Sequence, residues 1–202
     1  MKQNNKIEKE FSAIILAAGK SERLGFPKLS LKYNENIIFL QNIVNEYEQF
    51  GCKEIIIVIN EVGNKFLNEN KIHFQDNVKI VINKYPEWHR FYSLKIGAKT
   101  LSEVSPVFIH NVDNPFVNHD VLNELLNCKD KADYIGPEFK GKGGHPILLS
   151  DIIVQELRSI HKDQIHIKEF LNQFPKMKVQ VEDKIVLINI NTIEEYQRIF
   201  KF

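Results

Sequence analysis

The run Glu54-Ile-Ile-Ile-Val-Ile-Asn60 constrains the fold more than any other segment. Its apolarity is continuous rather than alternating, so a strand formed here needs cover on both faces, as in a largely parallel sheet sandwiched by helices. Residues 78–82 and 106–109 carry the same pattern and are expected to be buried strands. A first strand is expected over 12–16, shorter ones over 133–135 and 147–149, and late ones at Val179 and over 186–188. Between them, apolar residues recur at helical spacing. Ile37, Leu40, Val44 and Tyr47 mark a helix over 37–50 that Gly51 should stop. Further helices are expected over 92–101, 119–126, 152–160, 166–174 and 192–200, the last with Thr192 near its amino end. Such alternation is the mark of an α/β domain.

Charge narrows the ligand. Lysine plus arginine number 27 against 26 aspartate plus glutamate, so no global field favours nucleic acid or a membrane, and any anion site is local. A chain of 202 residues with 43% hydrophobic content suits one domain with a full core. We expect a polar extension over 1–10 and the domain over 11–202. Lys140-Gly-Lys-Gly-Gly144 reads as a flexible, functional loop within it. Cys52 and Cys128 fit no metal or redox spacing and are expected to be buried thiols in a reducing cytoplasm. The first ten residues hold no apolar signal core, and no run reaches the length of a membrane span, so a cytoplasmic location is expected.

The chemistry concentrates after the first strand, in Leu16-Ala-Ala-Gly-Lys-Ser-Glu-Arg-Leu-Gly-Phe-Pro-Lys28. Ala17, Ala18 and Gly19 are small enough for backbone amides to approach phosphate oxygens, and Lys20, Arg23 and Lys28 can neutralise a triphosphate and the departing pyrophosphate. On charge alone, a solvated basic loop is an equal alternative. Neither Gly-x-x-x-x-Gly-Lys-Ser/Thr nor Gly-x-Gly-x-x-Gly occurs, so P-loop hydrolase and dinucleotide-binding readings lose their main support. Asp113, in Val112-Asp-Asn-Pro-Phe116, falls just beyond a strand at the carboxyl edge where α/β sheets bind ligands. It is either a hard oxygen ligand for magnesium or one side of an ordinary turn.

The order Leu-Ala-Ala-Gly-x-Ser-x-Arg-Leu-Gly-x-Pro-Lys resembles the signature of the MobA-like nucleotidyltransferase family, and within it the molybdenum cofactor cytidylyltransferases, with Leu24 where methionine is usual. The resemblance implies a single-domain three-layer α/β/α, Rossmann-like fold of the GT-A type with a mostly parallel mixed sheet. It places nucleotide on Leu16, Ala17, Ala18, Gly19, Asn83 and Ser93, assigns Arg23 and Lys28 to the triphosphate, and gives Mg2+ to Asp113. Gly144-His145-Pro146 resembles the loop near the pterin substrate. Leu187-Ile-Asn-Ile-Asn-Thr192 resembles the carboxyl-terminal segment of the family and offers Asn191 as a second metal ligand. The Ala-Ala-Gly form, with Ala18, points to CTP, whereas Asn189 and Asn191 match the guanylyltransferase branch. Trp88 reads as a partly buried aromatic.

Together these imply an Mg2+-dependent transfer of CMP from CTP to a phosphorylated acceptor, molybdopterin, with release of pyrophosphate. A phosphate monoester has a second pKa of about 6 and needs no general base, so catalysis would rest on alignment and charge neutralisation by Arg23, Lys28 and Asp113. The partners implied are small molecules, with transient contact to a molybdoenzyme or its chaperone. Two alternatives keep the same loop: a nucleotidyltransferase acting on a sugar, polyol or isoprenoid-precursor phosphate, and a non-catalytic cofactor-binding chaperone.

Overall fold

The computed structural model describes residues 11–22 and 24–201; the expected polar extension and Arg23 lie outside them. Eight strands are found among the described residues: β1 (Ser12–Ala17), β2 (Ile55–Ile59), β3 (Val78–Ile82), β4 (Val107–Asn111), β5 (Tyr134–Phe139), β6 (Lys142–Gly143), β7 (Ile147–Leu149) and β8 (Lys176–Gln180). They form one sheet in the order β3-β2-β1-β4-β7-β5, with β6 and β8 both paired to β5. The β1–β2, β1–β4, β2–β3 and β5–β8 pairs are parallel, while β7 runs antiparallel to β4 and β5.

The helices are α1 (Phe39–Phe50), α2 (Glu61–Glu69), α3 (His89–Thr100), α4 (His119–Leu126), α5 (Asp151–Ser159), α6 (Ile167–Leu171) and α7 (Ile193–Ile199). They cover both faces. Ala13, Ile15, Ile55 and Ile57 join a core with α1 and α4, whereas Ile14, Ile56 and Val58 join a second core with α3, α5 and α6. Successive residues of one strand thus feed opposite cores, which is why the apolar run is unbroken. Gly51 ends α1 in the left-handed conformation at φ 89°, as expected.

Four expectations need correction. Strand β3 is not buried on both faces: it is an edge strand paired only with β2, and Lys79 and Ile80 are exposed. Residues 186–188 do not form a strand; Asp183 accepts from the Ile185 amide and starts a 3-10 turn over Lys184–Leu187. The stretch 140–144 is a tight hairpin between β5 and β6, with Phe139 opposite Lys142 and positive φ at Lys140 (48°) and Gly141 (79°). Helix α6 is also shorter than its expected 166–174 span, because α6 ends at Leu171 with Asn172 as its cap. Helix α2 went unread because only Gly63 and Leu67 are buried along it.

One close contact fixes how α3 sits on the sheet. A Cβ at Gly97 would lie 2.8 Å from Ile14 Cγ2 and 3.1 Å from Val58 Cγ2. Gly97→Val should therefore destabilise the chain by about 1–3 kcal/mol through overpacking, read in urea as a lower midpoint with an unchanged slope.

Candidate active site

Parallel pairing aligns Leu16 of β1 with Asn111 of β4 and Ala17 with Ile59 of β2, so the carboxyl ends of all three strands open on one edge. The main cleft there has a volume of about 640 Å³. Leu16, Ala17 and Ala18 line it while largely buried themselves. Gly19 is exposed, and a Cβ there would meet nothing within 4 Å, so the space over the backbone is open.

The loop beyond β1 is held by short polar side chains. Ser21 (φ 53°) and Gly25 (φ 74°) turn the chain, and Ser21 Oγ accepts from the Lys28 amide at 3.2 Å. Asn60 donates from Nδ2 to the carbonyls of Ala18 (3.2 Å) and Gly19 (3.3 Å) while its Oδ1 caps α2 by accepting from the Gly63 amide. Asn60 was missed by sequence reasoning; its signal was a polar amide directly after a strand.

Lys28 faces Asp113 and Asn191. Its Nζ donates to Asn191 Oδ1 at 2.7 Å and stands 3.6 Å from Asp113 Oδ2. Asp113 Oδ1 is buried and has no hydrogen-bond partner among the described residues. Such an orphaned carboxylate oxygen is costly unless a cation or donor completes it. All three residues line the cleft, so the structure joins the phosphate loop, the turn after β4 and the carboxyl-terminal segment.

Ser93, on α3, lines the same cleft, and its Oγ accepts from Asn83 Nδ2 at 2.9 Å. Asn83 is 1% exposed and also accepts from the Tyr85 amide, so its side chain is committed to holding Ser93 and the following turn; it borders an adjoining cavity of about 580 Å³. Trp88 is partly buried as expected, stacked on Tyr85 with centroids 4.2 Å apart. Gly144, His145 and Pro146 stand behind the wall of the main cleft. His145 meets it through Asn111, whose Nδ2 is 3.1 Å from His145 Nε2. Burial pushes the His145 imidazole below its ordinary range, Arg90 adds to that and Asp113 opposes it. A neutral ring results at pH 7.

Sequence reasoning also missed Arg90, which lines the cleft from the start of α3. The expected helix began after it, and nothing in its neighbours marked it. His89 beside it adopts φ 61° and ψ −164°, a conformation disfavoured for any residue with a Cβ.

The sequence from residue 13 to 178 matches the MobA-like NTP transferase domain model. The chain belongs to the MobA-like NTP transferase family. Among family relatives, the chain is 28% identical to a probable molybdenum cofactor guanylyltransferase of Clostridium perfringens, covering 94% of this chain and 96% of that one. It is 26% identical to the molybdenum cofactor cytidylyltransferase of Escherichia coli K12 (91% and 92% covered). It is also 32% identical to a 2-C-methyl-D-erythritol 4-phosphate cytidylyltransferase of Clostridioides difficile, over 62% of this chain and 55% of that one. In fold it is similar to Rv0371c of Mycobacterium tuberculosis H37Rv, with a TM-score of 0.79 at 20% identity, covering 96% and 98% of the two chains. The nucleotidyltransferase fold expected from the sequence is thus the one observed, and no helix among the described residues is long and apolar enough to cross a membrane.

Two outcomes follow from this packing. A Cβ at Gly144 would lie 2.5 Å from the Val186 carbonyl oxygen, so Gly144→Ala should displace the His145 loop and lower stability by about 1–3 kcal/mol, measured by thermal or urea unfolding. His110, on β4 and fully buried, is pushed down to about 4 by burial. The unfolded chain, with histidine near its ordinary 6.5, binds this proton first, so stability should fall as pH drops from about 6.5 to about 4, by up to about 1.4 kcal/mol per pH unit. Unfolding curves of His110→Gln should lack that component.

Proposed function

We propose that this chain transfers CMP from CTP to the phosphate of molybdopterin, releasing pyrophosphate. The observation that carries this reading is the convergence of Lys28, Asp113 and Asn191 on one cleft, with an Asp113 oxygen that is buried and has no hydrogen-bond partner among the described residues. Near full-length similarity to molybdenum cofactor guanylyl- and cytidylyltransferases supports the acceptor. The base rests on Ala18 alone, since the relatives include both kinds.

In the reaction, an acceptor phosphate oxygen forms a bond to the α-phosphorus as the bond from α-phosphorus to the bridging oxygen breaks, and the electron pair leaves with pyrophosphate. No proton needs removing from a phosphate already largely ionised at pH 7. The backbone of Ala17 to Gly19 would cradle the phosphates, and Lys28 would offset charge growing on the leaving group, joined by Arg23. Asn111, braced by His145 behind it, would orient the acceptor.

Asp113 suits Mg2+, a hard cation that takes one or two carboxylates and completes its shell with substrate phosphates and water. Among the described residues no cluster of three His, Cys, Asp or Glu side chains could hold a metal by itself, so a cation at Asp113 would need nucleotide phosphates and water to complete its shell. Bound there, Mg2+ would offset charge on the α- and β-phosphates. Asn191 Oδ1 would have to share its contact with Lys28 to serve as a further ligand.

Partial similarity to methylerythritol phosphate cytidylyltransferases favours a second reading, CMP transfer to a small polyol phosphate in the same cleft. A pyrophosphate-release assay with CTP and GTP against molybdopterin and methylerythritol phosphate separates the two. Lys28→Ala and Asp113→Ala are each expected to lower turnover at least tenfold with the fold intact. Near-normal turnover by purified Asp113→Ala would sink the metal assignment, and nucleotide binding without pyrophosphate release from any pair would make the chain a binding protein.

A further inference from the structure

His110 lies in β4 between Ile109 and Asn111, with Phe108 two residues before it on the same face, and it is 0% exposed. A fully buried imidazole needs partners for both nitrogens. Its Nε2 lies 2.6 Å from the carbonyl oxygen of Asn114, which can only accept, so Nε2 carries the proton. Nδ1 therefore presents a lone pair and accepts from Tyr47 Oη at 3.0 Å. The Asn114 carbonyl thereby fixes the tautomer, and Tyr47, itself fully buried on α1, satisfies the other nitrogen.

The turn that His110 grips carries Asp113. Three consecutive carbonyls of that turn are held from three directions. Ile190 N donates to Asp113 O at 2.6 Å, His110 Nε2 to Asn114 O, and Asn42 Nδ2, from α1, to Pro115 O at 3.0 Å. Asn114 adds a side-chain bond from Nδ2 to Ile185 O at 3.2 Å and is itself fully buried. Every one of these bonds ends on the backbone or on Asn114. The Asp113 carboxylate is left with Oδ1 buried and unpaired and Oδ2 turned to Lys28.

We propose that His110, holding its proton on Nε2 against the Asn114 carbonyl with Tyr47 satisfying Nδ1, is the positioning residue that aims the Asp113 carboxylate at the nucleotide-bound cation. The inference rests on the reading of Asp113 as a cation ligand. The sheet needs only an apolar side chain at this place, and leucine would fill it. A donor is required because the turn would otherwise relax until Asp113 Oδ1 found a partner, and a relaxed carboxylate binds a cation less well.

The test compares CTP affinity by calorimetry in EDTA and in Mn2+, and the ratio of the two measures the contribution of the cation. Wild type should show a large ratio. His110→Leu should lose at least tenfold of that ratio with CTP affinity in EDTA unchanged. His110→Gln, whose Nε2 can reach the same carbonyl, should recover it to within about threefold. An undiminished ratio in His110→Leu overturns the proposal. So does an equal loss of affinity in EDTA, since the damage would then be general to the cleft. If neither variant folds, nitrogen NMR of the wild-type chain decides: a slowly exchanging Nε2 proton on His110 is expected, and the Nδ1 tautomer overturns the clamp. Wild type that binds CTP under neither condition refutes the functional reading instead, while the tautomer still reports on the turn.

Discussion

Everything in the site depends on the in-register parallel pairing of β1 with β2 and β4. Parallel neighbours end on the same edge, so the loop after Ala17, the cap at Asn60 and the turn at Asp113 emerge side by side without any of them having to travel. The pairing is stable because each of these strands is covered twice, by α1 and α4 on one face and by α3, α5 and α6 on the other. A one-residue slip of β1 would exchange its two apolar faces between the cores and move Leu16 away from Asn111. The same register therefore secures the fold and places the phosphate loop opposite the carboxylate.

Charges of both signs line the cleft, Lys20, Lys28 and Arg90 beside Glu22, Glu87 and Asp113. Lys28 is shared between Asp113 and Asn191, and the exposed Arg90 stands on another wall near His145. An anionic ligand entering here meets a cation already engaged with a carboxylate. Under the proposed function, a divalent ion bound at Asp113 would relieve that competition by occupying the carboxylate and freeing the Lys28 ammonium for phosphate.

Much of this was legible in the sequence, and the failures have physical reasons. The Ile-Val run of β2 and the periodicity of α1 and α4 carry strong signals because burial there is uniform along a face. For β3 the composition resembles that of β2, yet composition does not say whether a strand has one neighbour or two. Residues 186–188 look like a strand by residue type, but the Asp183 cap drives the backbone into a 3-10 turn first. In the site, the order of their motifs singled out Lys28, Ser93 and Asp113, which line one cleft, and Asn83, which holds Ser93 and borders the adjoining cavity. Asn60 and His110 were invisible because each acts through a neighbour that only the folded sheet supplies, and Arg90 because only the fold brings the start of α3 to the cleft.

The contacts of residues 185–191 bear on when the molecule becomes competent. Ile190 holds the backbone of Asp113, Val186 accepts from the His145 amide at 2.9 Å, and Asn191 holds Lys28, so this one segment ties the turn after β4, the His145 loop and the loop after β1 together. It lies beyond residue 178, where the family match ends. A ribosome delivers it after all eight strands. The sheet can assemble around β1, β2 and β4 while synthesis continues, but carboxylate, lysine and histidine loop stay untied until this stretch docks. Completion of the cleft is thereby deferred until this segment has been made. Sequence drift in this tail could retune the site while the phosphate loop remains unchanged.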